Sequence, residues 1–473
     1  MKRYEQLAEA ITALIASGVI KPGERVPSVR NACAVWQLSP STVFKAYYLL
    51  EDRGLIQARE KSGYYVLASA DTAHDIDQPV NPQNISQPTT VQVSDLIFSL
   101  LDLVRDQTII PLGSAFPSPD LFPVQRLAKS AAHAMRFMSG ETLVSDTPLG
   151  VAELRRQIAQ RYALAGIRAT PDDLMITTGA MEALNLCLQA VTHAGDYVAI
   201  ESPAFYASLQ VLERLQLKVI EIPVNEDGMD IDMLAQALQQ YPIKACWLMS
   251  SFQNPTGTSL SDDKKRQLVK LISQHQIPLI EDDVYHELYF GNTPPKPAKA
   301  YDQDGWVMHC SSFSKSLAPG YRIGWVSAGR FSQQVQRLKL MTTISASIPA
   351  QAILADYLQH GGFERHLRKL RLHLKQQYQA MVRAIRCYFP ADTQISAPDG
   401  GYFLWLSLNP AINTLTLFQR ALAEGVSIAP GPMFSASQQF AHCMRLNYGA
   451  VKPEDIEPTI KRLAGLLDAE RCM

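Results

Sequence analysis

The chain opens on a helical rhythm and later changes to a different one. From Tyr4 to Ser17, Leu7, Ala10, Ile11, Leu14 and Ile15 recur on one face of a predicted helix. Gly18 and "KPGE" end it. "PSVRNACAVWQL" predicts a second, short helix. "SPSTVFKAYYLLEDRG" predicts a third, opened by Ser and Thr and stopped by Gly54. "LIQAREKSGYYVLAS" alternates about a Ser-Gly turn, which predicts a two-stranded hairpin. Residues 70–93 lose this periodicity. They hold three prolines and neither Lys nor Arg, a linker composition. A flexible coil of that length spans roughly 25–30 Å. From Ser94 onward, β-prone runs ("YVAIES", "ACWLMSS", "IPLIEDD", "GWVMHCSS") alternate with helix-length segments such as "SDDKKRQLVKLISQHQ". Strands alternating with helices predict an α/β fold with a mostly parallel sheet. The expected division is a head over 1–69, a linker over 70–93 and a body over 94–473.

Composition narrows this little. A 47% hydrophobic and 19% charged share suits a globular protein, and a net charge of −1 gives no whole-molecule field. The head differs, with nine Lys plus Arg against six Asp plus Glu over residues 1–69. The seven cysteines are scattered and lack CxxC pairing, which argues for reduced thiols and against a metal site. The first residues include acids and do not read as a signal peptide, and no apolar run approaches the ~20 residues of a membrane helix. A cytoplasmic protein without a membrane partner is expected.

In the head, the second and third helices have the order of a helix-turn-helix, whose later helix enters a DNA groove. Ser39, Ser41, Thr42 and Lys45 lie at or near the start of that helix, where hydroxyls, ammonium and backbone amides meet phosphates or base edges. Lys61, Ser62 and Gly63 form the tip of the predicted wing. Trp36 and Phe44 are expected to pack inside. The frame "G-x-x-x-PGE-R-x-PS-x-R" followed by "S-x-x-TV-x-x-A-Y-x-x-L-E-x-x-G-x-I" resembles the winged helix-turn-helix of GntR-type regulators. The resemblance implies double-stranded DNA as partner, contacted by Arg30, Ser41, Thr42 and Lys45, with Gly63 letting the wing approach the minor groove.

In the body, "SSFSKSLAPGYRIGW" sets Lys315 among small hydroxyl residues at a strand end. A neutral lysine forms an imine with an aldehyde cofactor. Pyridoxal phosphate has further needs, and the sequence carries residues of the right type for each. Ser312, Ser314 and Arg322 suit a phosphate, as do the amides of Ala180 and Met181 in the strand-to-helix turn "TTGAMEAL". Asp282 suits the ring nitrogen, and Tyr285 and Asn254 the ring oxygen. Phe205 suits the ring face. Arg445 in "CMRLNYG" offers a bidentate partner for a carboxylate. Each residue alone has a plainer reading as surface charge, turn or core; the weight lies in the set and its order.

That set, with "S-x-S-K-x-x-x-PG-x-R-x-G-W", resembles fold-type I pyridoxal-phosphate enzymes of the aspartate aminotransferase class over roughly residues 110–465. The resemblance implies an internal aldimine at Lys315 and the roles just given. "GGYFLW" and "APGPMF" match the class's small domain. Two positions depart from it. The usual ring-stacking tyrosine is Phe205, and a tyrosine that reaches the partner subunit's phosphate is replaced by Ser145.

Head, linker and body together resemble the MocR subfamily of GntR-type regulators. This implies a homodimer with exchanged heads on paired promoter half-sites. It also implies a body that senses pyridoxal phosphate or an amino-compound effector held through Arg445. The chain on this reading is a regulator rather than an enzyme. The alternative is an active aminotransferase with a regulatory DNA-binding head.

Overall fold

The computed structural model describes residues 2–21, 23–53, 55–59, 63–66, 84–102, 108–143, 148–360 and 362–471. The chain divides into two compact units, Met1–Asp75 and Ile76–Met473. The predicted 69/70 boundary, the wing residues Lys61 and Ser62, and Ser145 lie outside the described residues.

The head contains α1 (Arg3–Ala16), α2 (Val29–Trp36), α3 (Pro40–Asp52) and an antiparallel hairpin of β1 (Ile56–Arg59) and β2 (Gly63–Val66). Ser39 caps α3, its Oγ accepting the Thr42 amide at 3.3 Å, with Pro40 in the first turn. Leu7, Ala8, Ile11 and Ile15 of α1 pack against Val43, Ala46, Tyr47 and Leu50 of α3, and Ile56 and Val66 close the core from the hairpin. The α1 face is rotated slightly from the expected one: Ala8 is buried, while Ala10 and Leu14 sit half-buried at its margin.

The body is built on a nine-stranded sheet and a separate four-stranded one. The large sheet comprises β3 (Thr89–Thr90), β4 (Met175–Thr177), β5 (Tyr197–Ser202), β6 (Lys218–Asn225), β7 (Gly228–Met229), β8 (Ile243–Leu248), β9 (Leu279–Asp282), β10 (Val307–Ser312) and β11 (Gly324–Ser327). Its centre, β6-β5-β8-β9-β10, is parallel. β11 joins antiparallel and carries β4 at that edge. The central strands are buried on both faces, which is why they read as near-continuous apolar runs. Helix Asp262–His275, capped by Ser261, lays Leu268, Val269 and Ile272 on the sheet. The small sheet is antiparallel, in the order β12-β13-β15-β14, from β12 (Gln394–Ile395), β13 (Phe403–Ser407), β14 (Ala429–Pro430) and β15 (Cys443–Asn447).

The expected linker is corrected at its second half. Residues 84–93 belong to the body: β3 pairs antiparallel with β6, and the Ser86 hydroxyl accepts the Glu221 amide at 2.8 Å. Val91 and Val93 are buried in the main core, and Glu213 accepts the Val93 and Ser94 amides, each at 2.9 Å. A polar composition hid two valines spaced to face inward. Among the described residues no helix is long and apolar enough to cross a membrane.

Candidate cofactor site and DNA-facing head

β8, β9 and β10 are neighbours running the same way, so the segments after them emerge together. Ligands collect at such carboxyl ends. Asn254 follows β8, Asp282 ends β9 with Tyr285 just after it, and Ser312 ends β10 before Ser314 and Lys315. Phe205 begins the next helix after β5. The cavity they surround has a volume of about 160 Å³. Every residue expected to hold the cofactor lines it except Asn254, which lies behind Tyr285 with Nδ2 3.5 Å from the phenol oxygen.

Lys315 Nζ donates to the Ala115 carbonyl at 2.9 Å and sits 3.9 Å from the Phe116 ring centre. Burial brings its ammonium down to about 7, helped by the positive charges of Arg445 and Arg322 and opposed by Asp282. Burial, with the neighbouring Asp283 charge, pushes the Asp282 carboxyl up to about 7 against the pull of Lys315. Its Oδ1 is buried without a hydrogen-bond partner among the described residues. Burial also raises the Tyr285 phenol.

An anion site lies beside the lysine. Ala180 and Met181 open helix Ala180–Val191, whose first amides are free to meet a negative charge. Gly179 before it has φ +75°, and a Cβ there would stand 2.5 Å from Arg322 Nη2. A Cβ on Gly324 would stand 2.5 Å from the Gly179 carbonyl carbon. These two glycines let Arg322 and the β11 backbone approach the helix start. Arg322 Nη1 donates to Ser314 Oγ at 3.4 Å. The orphaned Asp282 oxygen, the low-pKa amine and the glycine-lined cradle fit a pyridinium ring, an aldehyde carbon and a phosphate.

Arg445, on β15, is fully buried. Its Nη atoms donate to Asn254 Oδ1 at 2.9 Å, Gly113 O at 2.6 Å and Ser114 O at 3.1 Å, all neutral acceptors. Among the described residues its Nε has no hydrogen-bond partner, and none of its Nη partners is a carboxylate. The rings of Phe403 and Phe434 lie 4.2 Å and 5.3 Å from it. Asp283, one residue beyond Asp282, is held differently. His309 Nε2 is 3.0 Å and His286 Nδ1 3.3 Å from its Oδ2, and His309 Nδ1 meets the Tyr162 hydroxyl at 2.7 Å. Burial alone would raise Asp283, but the two imidazoles outweigh it and hold the carboxyl well below the usual range.

Sequence reasoning missed Ala115, Phe116, Tyr206 and Met249, which also line the cavity. Ala115 acts through its carbonyl, which no side-chain motif announces. Tyr206 lies next to Phe205 in sequence and its ring is 4.9 Å away, so "FY" was the available signal.

In the head, Arg30 is exposed on α2, and Ser41, Thr42 and Lys45 lie along the first half of α3. The Ser39 hydroxyl touches those of Ser41 and Thr42 at 3.0 and 2.9 Å. Gly63 has φ +109°, and a Cβ there would stand 2.8 Å from the Arg25 guanidinium, a cation the sequence reading passed over. Trp36 packs against the head core as expected. Phe44 does not: it is 39% exposed, stacked on the more exposed Tyr48 with ring centres 6.2 Å apart. The buried phase of α3 runs through 43, 46, 47 and 50, and position 44 falls off it.

Residues 107–463 match the family of aminotransferases of class I and II, and residues 3–66 match the gntR family of bacterial regulatory proteins. The HTH-type transcriptional regulator YdcR of Escherichia coli K12 is 46% identical over 99% of both chains. Aromatic-amino-acid aminotransferase 1 of Thermococcus litoralis is 31% identical over 79% of this chain and 91% of its own. The crystal structure of the α-aminoadipate aminotransferase LysN from Thermus thermophilus, complexed with N-(5'-phosphopyridoxyl)-L-leucine, superposes with a TM-score of 0.74 at 28% identity, covering 81% of this chain and 96% of that one. With an aminotransferase body that binds pyridoxal phosphate, a GntR head and regulator relatives along its whole length, the chain belongs to the MocR-type group of GntR transcriptional regulators.

Proposed function

We propose that this regulator, acting in the cytoplasm as a homodimer, reads paired DNA half-sites through its heads and carries pyridoxal phosphate on Lys315 Nζ. Asp282 faces the ring nitrogen, Tyr285 and Asn254 the ring oxygen, and Phe205 the ring face. Ala180, Met181, Ser312, Ser314 and Arg322 hold the phosphate. Arg445 takes the carboxylate of an amino-compound effector. In the head, Arg30, Ser41, Thr42 and Lys45 contact the duplex, together with the wing residues Lys61 and Gly63. The observation that carries this reading is the Lys315 amine in one cavity with a buried Asp282 oxygen that has no hydrogen-bond partner among the described residues.

When bound, the cofactor supplies an aldehyde carbon at which one amine exchanges for another. The chain's own residues set the terms. A substantial fraction of Lys315 is the neutral amine at pH 7, so it is a competent nucleophile. A cation opposite Asp282 Oδ1 stabilises its charged form and gives the orphan oxygen a donor. A carboxylate at Arg445 competes with the Gly113 and Ser114 carbonyls for the same guanidinium. Since Lys315 Nζ rests on the next carbonyl, Ala115, effector binding and release of the lysine bear on one segment. An effector biases DNA binding only by its differential affinity for the resulting states.

The test is a footprint on the DNA upstream of the gene for this chain, with and without pyridoxal phosphate, beside the Lys315→Ala protein. A footprint that changes with cofactor in wild type and not in Lys315→Ala is expected. The same footprint under all four conditions removes the sensor and leaves the DNA binder. An active aminotransferase is the second reading, favoured by the near-neutral Lys315, which suits a proton shuttle equally well. Rapid conversion of amino donors, on the order of 1–1000 per second, decides for it.

A further inference from the structure

The head core takes one side of α3, and the opposite side carries Ser41, Phe44, Lys45 and Tyr48. At 100° per residue these four fall within one stripe of about that width. Two of them are large aromatic rings left outward, Phe44 at 39% and Tyr48 at 57%. The two rings stack, with centres 6.2 Å apart and planes 26° from parallel. Along α3, Phe44 lies between Ser41 and Thr42 near the helix start and Lys45.

A benzyl ring offers nothing to a phosphate and no hydrogen bond to a base. Base edges in the major groove carry donors and acceptors, and one apolar group, the thymine C5-methyl. Lys45 and the exposed Arg30 supply charge complementary to a duplex around the ring. We propose that Phe44 is a specificity residue that packs on a thymine methyl in the major groove of each half-site. This deepens the reading of the head as a DNA binder and rests on it. The patch therefore selects for T at one position by contact, while Ser41, Thr42 and Lys45 set register on the backbone.

The full-length protein is used to select duplexes from a random pool, and each dT of the selected site is then replaced by dU, which removes only the methyl. Expected is one position per half-site at which dU weakens wild-type binding about fourfold, the loss for one buried methyl. Phe44→Ala is expected to bind the dT site more weakly and to ignore the dU change, while Phe44→Leu keeps part of the methyl dependence. Since the methyl is removed from the DNA, the wild-type arm does not depend on how any variant folds. Equal wild-type affinity for dT and dU at every position overturns the proposal, as does a Phe44→Ala protein that still senses the methyl. A Phe44→Ala chain that loses self-association while keeping methyl-dependent binding assigns the patch to a second copy and also overturns it. Failure to select any sequence is a different result, because it removes the DNA-binding reading itself.

Discussion

Asp282 and Asp283 are neighbours at the end of β9 and fare oppositely. Asp283 faces His309 and His286 and is held ionised. Asp282 lines the cofactor cavity and is raised to about 7. Each keeps its Oδ1 without a partner among the described residues, but the Oδ2 of Asp283 is held by two imidazoles of its own chain, whereas Asp282 lines the cofactor cavity. The difference separates a structural charge from one that faces a ligand cavity, though the two are adjacent and equally buried.

The largest expected break in this comparison is Asp283→Ala. It strands the imidazoles and the Tyr162 hydroxyl behind them, and should lower stability by about 3–5 kcal/mol. Asp282→Asn in the cofactor-free protein should cost far less, or stabilise. Paired denaturant melts check both, and equal losses would erase the distinction.

pH sharpens it next. Folded Asp282 keeps its proton to about 7, against an ordinary value of 3.8. Between those values the native state binds more protons than the unfolded chain, so stability falls as pH rises. Lys315 has its value lowered from 10.5 to about 7, so the unfolded chain binds more protons above 7 and stability rises again. The cofactor-free body should therefore show a stability minimum near pH 7 from this pair. Asp282→Asn removes its acid side and Lys315→Ala its alkaline side in melting scans across pH.

Gly179→Ala brings a Cβ against Arg322 and a left-handed strain of about 1 kcal/mol or more. It should weaken pyridoxal-phosphate affinity about tenfold, read by cofactor titration. The smallest effect belongs to the open surface of the head. Lys45→Ala should weaken DNA binding on all sequences alike and reduce the salt slope by about 1.

The same contrast explains what could be read in advance. Asp282, Tyr285, Ser312 and Lys315 were legible because a buried strand rarely ends in such a polar cluster without a use. Arg445 was singled out by residue type; it is buried on neutral acceptors and does not line the cavity, so its carboxylate role stands as a proposal. Ala115 and Phe116 were not, because one acts through backbone and the other looks like core. Phe44 was misread by apolarity alone, although counting its helical phase against Val43, Ala46 and Tyr47 places it outside. The end of the linker was misread by composition, which weighs Val91 and Val93 no more than the polar residues between them.

The strap formed by residues 84–93 bears on how this protein can be taken apart. β3 and Ser86 hem β6, a border strand of the large sheet, by filling its amides and carbonyls. A truncated body starting at Ser94 would leave that border raw, an invitation to pair with the next molecule and precipitate. One that starts before residue 84 keeps the hem and should stay dispersed.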